Sequence, residues 1–179
     1  MLRRAEYLYQ QLEALQPLRQ QVRRDLLAQS RKQTATKSLG KIPCIGPIRA
    51  ALLIALIQTP HRFRTKLQLW NYSGIGIETH DSAQYRFVRG ELQRSKRPQQ
   101  LRGLNKNHNH DLKNIFKSAA TMATISAGPF HEFYEALLVK GRKPTMARLT
   151  LARKIAAITL IVWKKEVRFD AKHLKPQAA

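Results

Sequence analysis

The chain has 179 residues, of which 43% are hydrophobic. That is enough for one compact domain with an appendage, and it excludes wholesale disorder. Lys and Arg number 33 against 11 acidic residues, a formal charge of +22 that calls for a polyanionic partner.

The bland alternatives are a ribosomal protein or a binder of anionic membranes. The cations are spread through patterned, foldable sequence rather than gathered in one tail, which favours a folded nucleic-acid-binding surface. The single cysteine, Cys44, excludes an intramolecular disulfide and fits a reducing cytoplasm. Met1-Leu2-Arg3-Arg4 leads into a charged helix rather than a signal peptide. The longest apolar runs, 50–57 and 155–163, are too short to span a bilayer.

Residues 1–36 read as a helical arm. Ala5, Leu8, Leu12, Leu15, Val22 and Leu26 recur in steps of three and four, with Arg19 interrupting the seam. The seam suits either a helix packed on its own domain or a coiled-coil connection. Pro17 is expected to kink or split it. The polar segment 29–41 resembles a hinge.

Residues 38–57 carry a helix-hairpin-helix pattern. Ile42 and Pro43 enter a tight turn, Cys44-Ile45-Gly46, and Pro47 occupies the first helical position. The N–H groups around Cys44, Ile45, Gly46 and Ile48 are expected to grip a phosphate backbone, whereas Pro47 cannot donate. Ile48, Ala51, Leu52, Ala55 and Leu56 are the predicted inward face, and Gln58-Thr59-Pro60 ends the helix. Phe63, Leu67, Leu69 and Trp70 indicate a short helix ending near Tyr72-Ser73-Gly74.

The pattern then changes. A β excursion is predicted between Gly74 and Gly90, with a strand-like alternation over 84–90. Residues 95–107 read as a basic loop. Three helices follow. One runs from His110 or Asp111 to about Ile125, with Leu112, Ile115, Phe116, Ala119 and Met122 inward. The next covers 130–139, with Phe133, Tyr134 and Leu137, and stops at Gly141. The last covers 145–167, with Leu149, Ala152, Ile155, Ala156 and 158–162 buried. Residues 170–179 are expected to be a disordered tail. The fold class is mainly α with a small β-hairpin insertion, and residues 37–169 form the main domain.

Chemical side chains concentrate in the β excursion: Glu78, Thr79, His80, Asp81, Ser82, Tyr85, Arg86 and Arg89. From Arg86 to Lys117 the cations Arg86, Arg89, Arg94, Lys96, Arg97, Arg102, Lys106, Lys113 and Lys117 face only Glu91 and Asp111. This stripe is suited to phosphate contacts, with Tyr and Phe nearby for stacking. The run His108-Asn109-His110 and the run from His131 to Glu135 lack the spacing of metal sites, so no metal or cofactor is expected in this chain.

Three blocks resemble the C-terminal transposase domain of the Piv/MooV DNA invertases and the bridge-RNA-guided insertion-sequence transposases. They are Ile42-Pro43-Cys44-Ile45-Gly46-Pro47; Tyr72-Ser73-Gly74-Ile75 followed by Ser82; and Lys106, Asn109 and Leu112-Lys113. The resemblance covers roughly residues 40 to 125. It implies DNA transposition, with Ser82 as a nucleophile forming a phosphoserine link to DNA; the developing charge needs cations, and Arg86, Arg89 and Lys106 are the candidates. It also implies DNA, a guide RNA and further copies of the chain as partners, in a bacterial cytoplasm.

The chain departs from the family pattern where Cys44, Ala83 and His108 replace glycines. It also lacks the RuvC-like domain whose acidic ligands would hold Mg, so the expected enzyme is incomplete by itself. The rival expectation is a non-catalytic helix-hairpin-helix DNA clamp, or a decayed transposase fragment.

Overall fold

The computed structural model describes residues 2–80, 85–94 and 100–174. Helices dominate it, with two small antiparallel two-stranded sheets inserted between them. The chain divides into two compact units, Met1–Arg62 with Ile158–Ala179, and Phe63–Ala157.

The first unit begins with α1, Leu2–Ser30. The helix stops six residues earlier than the pattern implied, because Lys32 and Gln33 turn back to bond the carbonyls of Gln29 and Ser30. It also runs through Pro17 without splitting. Proline removes one bond to the carbonyl four residues earlier, and good helix formers on either side sustain the rest. The apolar seam is not packed: Leu8, Leu12, Leu15 and Val22 are all more than half exposed. Burial along α1 starts only at Leu26 and Leu27.

The segment read as a hinge contains a short helix, α2, Thr34–Leu39. A turn leads from it to α3, Pro47–Ile57, and α3 touches both α1 and α2. The buried face of α3 is Ala50, Ala51, Leu53 and Ile57, whereas Leu52 is 36% exposed. The predicted face was therefore rotated. α3 is apolar almost all round, so periodicity alone could not select its inward side. Leu39, Ile42 and Ile45 complete this core, and Ile158, Leu160, Val162 and Trp163 are buried in the same unit.

The second unit begins with α4, Lys66–Tyr72, capped by the Thr65 hydroxyl, which accepts from the Gln68 N–H. Four strands follow: β1 Ile77–His80, β2 Tyr85–Val88, β3 Glu91–Arg94 and β4 Gln100–Leu104. β1 pairs with β4 and β2 with β3, so the pairs nest in sequence like the base and tip of one long hairpin. Two of these strands, β3 and β4, lie beyond the predicted excursion, in sequence rich in Gln, Arg and Lys. Main-chain pairing there overrides weak β propensity.

Helix α5, His110–Ala123, starts at Asn109, whose Oδ1 accepts from the Leu112 N–H at 2.9 Å. It buries Leu112, Ile115, Phe116 and Ala119 as expected, with Ala123 inward where Met122 was predicted. Helix α6, Pro129–Val139, buries Phe130 and Tyr134. Helix α7, Pro144–Lys165, supplies Ala147, Leu151, Ala152, Ile155 and Ala156 to the same core.

Candidate nucleic-acid interface

In the first unit the candidate contact is the turn between α2 and α3. Ile42 donates to the Leu39 carbonyl at 3.1 Å and Ile45 to the Ile42 carbonyl at 3.0 Å. Cys44 takes φ 64° at the apex, a left-handed conformation that favours glycine. Its carbonyl accepts from Arg49 Nη1 at 3.1 Å. Burial pushes the Cys44 thiol above its ordinary value, with Arg49 opposing in part.

Gly46 then caps α3 without any side-chain bond, Pro47 opens the helix, and no acidic residue lies in its first turn. Ala50 makes the first bond of the helix, to the Gly46 carbonyl at 3.0 Å. The Ile48 N–H, in the first turn, has no acceptor inside the helix. Ile45 differs from its predicted role. Its N–H is already bonded and its side chain is 1% exposed, so it holds the turn together from within.

In the second unit the sequence blocks around Tyr72-Ser73-Gly74 and Lys106–Lys113 meet. Ser73 is fully buried and its hydroxyl donates to the Leu69 carbonyl at 2.6 Å. Gly74 has φ 64°, and a Cβ there would overlap the His108 ring. The Asn109 N–H donates to the Tyr72 carbonyl at 2.9 Å, and Asn105 Nδ2 donates to the Asn71 carbonyl at 3.0 Å. Gly76 is similarly tight, because a Cβ would overlap the Asn71 side chain.

His108 stacks obliquely on His110 with ring centroids 4.5 Å apart. Its Nε2 lies 3.2 Å from Lys113 Nζ. Its Nδ1 is buried with no hydrogen-bond partner among the described residues. Lys106 is exposed on the loop entering α5.

Arg153 on α7 ties down the start of the β insertion, a role the sequence reading missed. Its Nε donates to the Ile75 carbonyl at 2.6 Å, and its own carbonyl accepts from Trp70 Nε1 at 3.0 Å. Its guanidinium sits 5.9 Å from the Trp70 ring, and burial lowers its pKa. The available signal was an arginine set in the apolar run Leu149–Ile158, where a cation needs a specific acceptor.

The strands carry several predicted cations. Arg86 is in β2, Arg94 ends β3, and Arg102 is in β4. Glu78 pairs with Gly103 and Thr79 with Leu101, which makes Arg102 the extra residue of a bulge beside Gly103 at φ 95°. Arg89 and Gly90, at φ 53° and 83°, form the two-residue turn joining β2 to β3. Positive φ at both positions is the type I′ geometry that matches strand twist. Ser82, Lys96 and Arg97 lie outside the described residues.

Among the described residues no three His, Cys, Asp or Glu side chains gather into a metal-binding group. No described helix is long and apolar enough to cross a membrane.

Residues 36–103 match the profile of the Transposase IS116/IS110/IS902 family. The matched stretch runs from α2 into β4 and contains both the Cys44 turn and the Tyr72–Gly74 block. This likeness to transposases of insertion sequences supports a role in DNA transposition and an interaction with DNA. No curated protein matches the chain.

Proposed function

We propose that this chain handles DNA during transposition, with Ser82 as the strand nucleophile. The family match over residues 36–103 supports the role in transposition, and the choice of Ser82 rests on the resemblance of its sequence block. In the proposed step Ser82 Oγ attacks a DNA phosphorus. The Oγ–P bond forms, the P–O bond to the leaving deoxyribose breaks, and the serine proton is balanced by one taken up at the leaving oxygen. The phosphoserine conserves the phosphodiester for rejoining. Arg86 and Lys106 offset the charge on the phosphorane, a task suited to cations.

The α2–turn–α3 segment acts as a helix-hairpin-helix grip, the N–H groups of Gly46 and Ile48 meeting the DNA backbone. Arg89, Arg94, Lys96, Arg97, Arg102 and Lys113 extend the phosphate contacts. The exposed Leu8, Leu12, Leu15 and Val22 stripe supports association of copies through α1. A guide RNA, and Mg held by a RuvC-like domain, rest on the family resemblance alone.

The second reading is a non-catalytic DNA clamp. It is favoured by Cys44, a residue ill suited to φ 64° at the grip's apex. Incubation with target DNA, alone and with a RuvC-like partner domain and Mg, separates the two. A covalent adduct that survives denaturation and is lost in Ser82→Ala is expected. Intact binding with no adduct under either condition leaves the clamp.

A further inference from the structure

The tip hairpin, β2–β3, carries large apolar side chains that are left uncovered by the described residues. Tyr85 and Phe87 alternate onto one face of β2 and are 57% and 74% exposed. Leu92, the direct cross-strand partner of Phe87, is 58% exposed. A two-stranded ribbon is marginal in water by itself, and a contiguous exposed apolar face marks a contact site. The hairpin is cationic in sequence: Arg89 is exposed in the turn, Arg94 is the register partner of Tyr85, and Glu91 is the sole acid between Tyr85 and Arg94.

A ligand that matches both features has flat apolar faces strung on a polyanion. Nucleotide bases fit when they are unpaired, because a closed duplex keeps their faces in its own stack. A second copy of this chain, itself at +22, fits poorly beside these arginines. We infer that the Tyr85–Phe87–Leu92 face of the β2–β3 hairpin is a stacking surface for unpaired DNA bases. The inference rests on DNA being the partner, as proposed above, and not on the chemistry of Ser82. The surface holds open bases close in sequence to Ser82, which precedes Tyr85 by three positions.

The test titrates the full chain into a closed duplex, the same duplex with a central mismatch bubble carrying 2-aminopurine, and single-stranded RNA of matching sequence. Bubble DNA is expected to bind about tenfold more tightly than closed duplex, the size of one base–aromatic contact, with quenched fluorescence. Phe87→Ala with Leu92→Ala should abolish both the preference and the quenching while keeping duplex affinity. Both side chains are exposed, so the buried core is untouched, and Phe87→Trp, which keeps an aromatic cross-strand pair, controls for the hairpin itself. Phe87→Trp should keep the quenching.

Equal affinity for bubble and duplex, or a preference that survives the double substitution, overturns the inference but leaves DNA binding standing. Preference for the RNA over the bubble overturns it too. So does a double variant that loses only self-association in sedimentation, which would make the face a contact between copies. Failure to bind any DNA overturns this inference and the proposed function together.

Discussion

The His108 ring occupies the space that a side chain at position 74 would need, so Gly74 and His108 are fitted to one another across two separate sequence blocks. Gly74 also takes φ 64°, which adds a backbone reason for glycine. Gly74→Ala is expected to destabilise the chain by about 2 kcal/mol through overpacking and strain. Adding His108→Gly frees the space, so the double variant should be less destabilised than the two single losses summed. Urea denaturation of the four proteins of this cycle measures the coupling; strict additivity would contradict the fit.

Cys44 offers the opposite case, a side chain where glycine is preferred. Cys44→Gly should stabilise by about 0.5–1 kcal/mol by relieving the left-handed conformation, less the entropy glycine adds to the unfolded chain. Burial raises the thiol pKa, so the folded state resists ionisation. The pH dependence follows: stability is retained below the ordinary thiol value of 9.0 and falls as pH rises through it, because only the unfolded thiol releases its proton there. Chemical denaturation between pH 7 and 10.5 should show this loss in the parent, and a smaller one in Cys44→Gly.

Arg153 fastens the segment that leads into β1. Arg153→Ala removes the bond to the Ile75 carbonyl and the cover over Trp70, and is expected to cost about 2 kcal/mol. Arg153→Lys keeps the charge but loses the planar fork, so it should recover only part of this. Thermal melts of the three proteins check the order. A lysine variant as stable as the parent would mean that charge alone is what matters at this position.

Helix periodicity made α5 legible nearly residue by residue, because Leu112, Ile115, Phe116 and Ala119 form one apolar stripe on a polar helix. It failed for α3, where apolar residues on every side hid the inward face. The turn at Cys44 was readable from Gly46 and Pro47, but not that the Ile45 N–H is spent inside it. The strands β3 and β4 escaped notice because cross-strand bonds, not side-chain pattern, define them. The meeting of His108 with Gly74 was suggested only indirectly, by two blocks of one family pattern; spacing along the chain does not report contact across it. Ser82 was selected by resemblance to a family, and its geometry lies outside the described residues.

The cations of the β2–β3 hairpin and of the residues that follow it in sequence give the last prediction. Each phosphate neutralised by a cation releases counterions, and the salt slope of binding to B-DNA scales at about 0.9 per contact. Arg94→Gln, Lys96→Gln and Arg97→Gln together should reduce the slope of log K against log salt by about 2 to 3 if all three meet phosphates. Arg89 requires a gentler change, since it stands at φ 53° in the turn. Arg89→Asn removes the charge while suiting the type I′ geometry, so it should lower the slope by about 1 without loosening the hairpin. Affinities for a duplex of arbitrary sequence at several salt concentrations measure both effects. Lower affinity with an unchanged slope would mean that these positions act through the fold; an unchanged affinity and slope would remove the ribbon from the DNA contact.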